Sequence, residues 1–118
     1  MSVSVRPRLA AELLRAGRAV DLPVGGGSMQ PLFRPGDVLS VRPAGAADVR
    51  PGDVVLFQLD DGRLVCHRLL YAAGDRIVTR GDDAFAADPP LRADAIIGRV
   101  EVPPSPRALY CAVRALLR

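Results

Sequence analysis

Ser28 stands behind three glycines, Gly25-Gly26-Gly27, and ahead of Met29-Gln30-Pro31. Glycine lets a backbone turn tightly and approach a ligand closely. A serine on such a turn presents an exposed nucleophile with backbone N–H groups beside it to hold an oxyanion. The same residues also describe a flexible loop. They are not a phosphate-binding P-loop, which needs a lysine. All sixteen basic residues of this chain are arginine. His67 is the one histidine of the sequence. Its ordinary pKa near 6.5 suits a general base at neutral pH, although a histidine among aliphatic residues also serves structural ends. Three carboxylates, Asp82, Asp83 and Asp88, follow Arg80-Gly81. Such a segment reads as a solvated acidic turn. It carries no recognisable metal-ligand spacing, so neither a metal nor another cofactor is expected. Cys66 and Cys111 form no CxxC pair. One disulfide is permitted by their number, and free thiols are the expectation.

These residues need elements to hold them. Arg8 to Val20 carries Leu9, Leu13, Leu14, Ala16 and Val20 at helical spacing, with Pro7 in a favoured first-turn position and Gly17 near the end. Val20 to Val24 reads as a short strand entering the glycine run. Arg34-Pro35-Gly36-Asp37-Val38-Leu39 recurs as Arg50-Pro51-Gly52-Asp53-Val54-Val55. In each copy Pro-Gly signals a type II turn, Pro presetting φ and Gly supplying a positive φ. Each turn launches an apolar run. Asp60-Asp61-Gly62 signals a hairpin before Arg63–Tyr71. Ala73-Gly74-Asp75 turns the chain into Arg76–Arg80, and Ile96–Val102 closes the series. In the strand around His67, alternation sends Leu64, Cys66 and Arg68 to one face and Val65, His67 and Leu69 to the other. Arg107 to Arg118 reads as a second helix, with Leu109, Tyr110, Val113, Leu116 and Leu117 as the stripe expected to pack on the core.

The expected fold is therefore mainly β, with about six short antiparallel strands in a coiled, partly barrel-like core and one helix at each end. At 118 residues the chain is expected to be a single domain. Residues 1–19 form its N-terminal helical arm, 20–104 its core and 105–118 its C-terminal helix. Eleven glycines and eleven prolines favour turns and strands over a helical bundle. The five aromatics include no tryptophan, which disfavours single-stranded nucleic-acid binding by base stacking. The net charge is +3, and the excess of arginine sits at the two ends. Nucleic acid is not an expected partner; basic ends fit an anionic membrane surface or an acidic partner better. No apolar run approaches the ~20 residues of a membrane span, and no apolar stretch near the start makes a secretory signal. The chain is expected to be cytoplasmic, with membrane association through a partner or through peripheral contact of its terminal helices.

Six segments follow one another in a fixed order. They are Gly27-Ser28-Met29-Gln30-Pro31, Pro35-Gly36-Asp37, Gly52 to Phe57, Val65-Cys66-His67-Arg68, Arg80-Gly81-Asp82 with Asp88, and Ile97-Gly98-Arg99-Val100. Together they resemble the type I signal peptidases and the wider superfamily that holds the LexA-like self-cleaving serine proteases. The resemblance runs from about Val24 to Glu101. It is nearest to the archaeal and endoplasmic-reticulum branch, in which a histidine stands where other members place a lysine. It implies Ser28 as nucleophile, His67 as general base, Asp88 as its acidic partner and Asp82 as a supporting residue. The oxyanion hole would be the Ser28 backbone N–H together with Gly26. The implied activity is serine-type endopeptidase cleavage of an extended, leader-like peptide or protein segment. The alternative is a catalytically weak or inactive peptide-binding module on the same fold.

Overall fold

The computed structural model describes residues 3, 4 and 6–117. Among them the chain runs β1 (Val3–Ser4), α1 (Pro7–Arg15), β2 (Val20–Pro23), β3 (Val38–Pro43), β4 (Val54–Gln58), β5 (Leu64–Ala73), β6 (Arg76–Arg80), β7 (Leu91–Arg92), β8 (Ile96–Val100) and α2 (Pro106–Leu117). The eight strands form one curled sheet in the order β1-β2-β3-β8-β4-β5-β6-β7. Every neighbouring pair is antiparallel except β1 with β2. The mainly β fold with a helix at each end is as expected. The strand count exceeds the expected six because β1 and β7 are two residues each, too short for alternation to reveal.

Both Pro-Gly turns take the expected form. Gly36 has φ +94° and Gly52 φ +100°. In each, the aspartate N–H donates to the arginine carbonyl, and the aspartate carboxylate accepts the arginine N–H at 2.9 Å. The two turns also dock alike. Gly36 N–H donates to Val24 O while Val24 N–H donates to Asp37 O, and Gly52 N–H donates to Leu69 O while Leu69 N–H donates to Asp53 O. The sequence repeat is thus a repeated clip that fastens a strand start to a neighbouring segment.

The sheet buries apolar side chains on both faces. Val54 and Leu56 of β4 join Leu14, Val20, Val41, Met29 and Ile97, whereas Val55 and Phe57 join Leu69, Ile77 and Ile96. This double burial explains why β4 reads as a continuous apolar run. The first core is covered by α1 through Ala10, Ala11 and Leu14.

The helix read from Arg8 stops at the glycine expected near its end. α1 ends at Arg15, where Gly17 takes φ +85°. Arg18 N–H donates to Leu13 O and Gly17 N–H to Leu14 O, the paired bonds of a Schellman stop; Val20 already belongs to β2. In α2 the expected stripe does not pack on the core. Cys111 and Ala115 are buried instead, and Leu109, Tyr110, Val113, Leu116 and Leu117 are exposed. Small residues allow the helix backbone closer to the sheet than leucines would.

Candidate active site

β2 delivers the chain into the Gly25–Gly27 turn, which Gln30 N–H closes by donating to Gly27 O at 3.1 Å. Met29 anchors the turn in the first core at 3% exposure, while Ser28 next to it is exposed. His67 lies on β5, paired with Val55 of β4. Its ring meets Phe57 edge-on at 6.1 Å between centroids, on the face that alternation assigned to it. Asp88 follows β6 in the chain and folds back upon it, its N–H donating to Thr79 O at 2.8 Å.

The three residues meet. His67 Nε2 is 3.1 Å from Ser28 Oγ, and His67 Nδ1 is 2.6 Å from Asp88 Oδ2. A carboxylate at Nδ1 favours the tautomer protonated there. Nδ1–H then donates to Asp88, and the Nε2 lone pair accepts the serine hydroxyl. Thr79 Oγ1 donates to the same Asp88 Oδ2 at 2.7 Å, which fixes the carboxylate against β6. A hydroxyl, an imidazole and a carboxylate in this order can transfer a proton from the nucleophile and stabilise the resulting imidazolium.

Asp82 stands elsewhere in the arrangement. Its carboxylate accepts two hydrogen bonds from the Arg68 guanidinium, at 2.8 and 2.7 Å, and both side chains are buried. Arg68 also donates to Gly52 O at 2.7 Å, so the pair ties the acidic loop to the second Pro-Gly turn. Asp82 N–H donates to Met29 Sδ, and Asp83 N–H donates to Ser28 O at 2.8 Å. The acidic loop therefore grips the serine turn through its backbone. Gly81 is required for that contact: a Cβ there would stand 2.7 Å from Ser28 O. Gly26 is exposed two residues before Ser28, with open space where a Cβ would project.

Sequence reasoning gave no role to Thr79, Gly81 or Arg68. The signal for Thr79 was available: a hydroxyl in the strand Arg76–Arg80 beside Ile77 and Val78 must find a partner once buried. Arg68 alternates onto the same face as Leu64 and Cys66, and a buried guanidinium likewise demands an acid. For Gly81 nothing local distinguishes close approach from an ordinary turn.

Beside Ser28 lies a groove of about 660 Å³, lined by Pro23, Val24, Gly26, Met29, Phe33, Leu56, Leu64 and Cys66 among others. β2 and β5 are not neighbours in the sheet, and its curl brings both to this one groove. Burial pushes the Cys66 thiol up to about 12, with the Asp82 charge adding to the effect. Cys66 and Cys111 are free thiols. Among the described residues no three or more His, Cys, Asp or Glu side chains are grouped to hold a metal ion. No helix among them is long and apolar enough to cross a membrane.

The Peptidase S24-like family matches residues 5–101. The chain belongs to that family. The match supports the wider kinship with LexA-like and signal-peptidase-like serine proteases. It also covers every residue of the Ser28, His67 and Asp88 arrangement, leaving α2 outside it. Comparison with curated proteins gives no match.

Proposed function

We propose that this Peptidase S24-like chain is a serine endopeptidase that uses Ser28, His67 and Asp88. The observation that carries the reading is the hydrogen-bonded sequence from Ser28 Oγ through the imidazole to Asp88, at 3.1 and 2.6 Å. Ser28 Oγ attacks a peptide carbonyl as its proton passes to His67 Nε2. Asp88 holds the ring and stabilises the imidazolium. The oxyanion lies against the Ser28 backbone N–H and the backbone at Gly26. His67 then gives the proton to the departing amine, and a water deprotonated by His67 releases the acyl group from Ser28.

The chain contains no lysine, so the serine–lysine pairing of LexA-like relatives is unavailable to it. That supports placement beside the archaeal and endoplasmic-reticulum signal peptidases, whose histidine occupies the corresponding motif. The substrate is an extended, leader-like peptide with small side chains at the scissile bond, laid in the groove beside Ser28 by strand addition. Incubation of the purified chain with a peptide library and mass-spectrometric readout should give defined cleavage, abolished in Ser28→Ala and in His67→Ala. Cleavage that persists in Ser28→Ala overturns the assignment. Peptide binding without cleavage by the unaltered chain would instead identify an inactive binding module.

A further inference from the structure

Helix α2 is turned inside out compared with an ordinary surface helix. Toward the sheet it presents small side chains, of which Cys111 and Ala115 are buried. Outward it presents Leu109, Tyr110, Val113, Leu116 and Leu117, with exposures from 46% to 80%. At about 100° per residue these five fall in an arc of roughly 120°, opposite the buried pair. The orientation is held from several sides. Arg80 Nη2 donates to Ala115 O at 2.8 Å, and Ser105 Oγ accepts Ala108 N–H at 3.0 Å. Cys111 and Ala115 line one small crevice with Pro31 and Asp82.

Residues 105–118 carry three arginines and no acid. Arg107 and Arg114 are exposed and fall together on one flank of the apolar arc. We propose that the outer face of α2 docks the protein on an anionic lipid bilayer. The five apolar side chains enter the boundary between headgroups and acyl chains, and the two arginines meet lipid phosphates. This is the composition of an interfacial amphipathic helix. A second copy fits the face less well. A helix of 12 residues is only about 18 Å long, so α2 against α2 would bury far less than the roughly 1,200–2,000 Å² of a stable interface. It would also bring like-charged arginines together with no acid on either helix.

The test is co-sedimentation of the full chain with vesicles of phosphatidylcholine, alone or with about one third phosphatidylglycerol as the anionic lipid. The chain should partition onto the anionic vesicles, and less so as salt rises. Leu109→Ser with Leu117→Ser, at 67% and 80% exposure, should cut partitioning roughly tenfold or more. Arg107→Gln and Arg114→Gln should each cut it about fivefold. All four positions face solvent, so circular dichroism and thermal melts of the variants should match the parent. Absence of partitioning, or equal partitioning by the leucine variant, overturns the proposal. So does a dimer in analytical ultracentrifugation that the leucine variant abolishes without any lipid binding. The readout involves no peptide cleavage, so its failure leaves the peptidase reading standing, and the converse also holds.

Discussion

Asp88 Oδ2 accepts from both His67 Nδ1 and Thr79 Oγ1, so two strands converge on a single oxygen. The threonine bond goes to a charged acceptor, a class worth about 1.5–3 kcal/mol. Thr79→Val keeps the shape and removes the donor. It should lower kcat about tenfold with KM little changed, and Thr79→Ser should restore most of the loss; an unaffected Thr79→Val enzyme would show that the hydroxyl does not position Asp88. Cys66, on the groove wall, offers a pH test. A thiol ordinarily ionises near 9.0, whereas the folded chain holds this one back to about 12. Between those values the unfolded chain sheds a proton that the native chain keeps. The thiol's contribution to stability is complete below pH 9 and lost as pH climbs toward 12, at about 1.4 kcal/mol per pH unit. Urea midpoints at about pH 8 and 10.5 should therefore separate more for the parent than for Cys66→Ala. Equal separations would show that burial does not hold the thiol neutral.

At the scale of elements, the site depends on loops gripping one another. Gly81 lets the acidic loop lie against the serine turn; a Cβ would stand 2.7 Å from Ser28 O, 3.1 Å from Ser28 Cβ and 3.2 Å from His67 Nε2. The nearest atom is backbone and cannot swing aside. Gly81→Ala should therefore displace Ser28 from His67 and cut kcat by about 10², with about 1–3 kcal/mol of lost stability by denaturant titration. An alanine variant with parental kcat would mean that the serine turn tolerates the shift. The strands and Pro-Gly turns were legible in the sequence because their causes are local: alternation in β5, positive φ at Gly36 and Gly52. The juxtaposition of Ser28, His67 and Asp88 was legible only through resemblance, since they come from three separate segments. The end of α1 was legible too, because Gly17 stops the helix where it takes a positive φ, although Ala16 and Val20 continue the apolar spacing past it. The facing of α2 was misread because a large apolar stripe ordinarily marks the core side. Which side packs depends on how closely the helix backbone approaches the sheet, and periodicity carries no information about that.

Across the whole molecule, the first core runs from α1 to the serine turn, which it holds through Met29, so strain at its α1 end tests how far displacements travel. Gly98 on β8 pairs with Pro43 of β3 and Leu56 of β4, close to where α1 lies on the first core. A Cβ at Gly98 would stand 2.5 Å from Val41 Cγ1, 3.2 Å from Arg42 O and 3.5 Å from Leu14 Cδ1. Val41 is β-branched and fully buried, so its χ1 freedom is small. Gly98→Ala must push β3 or α1 outward, at a cost of about 1–3 kcal/mol. For a chain of this size each kcal/mol lowers the melting temperature by about 3–8 °C. His67 is two strands away, on β5, and the atoms that a Cβ would meet belong to β3 and α1. Assayed well below both melting temperatures, Gly98→Ala should keep the parental kcat while melting earlier. Gly81→Ala should do the reverse in proportion, losing far more activity than stability. If Gly98→Ala instead lost activity as steeply as Gly81→Ala, the first core would be setting the Ser28–His67 distance directly, and the sheet would be transmitting displacements rather than isolating them.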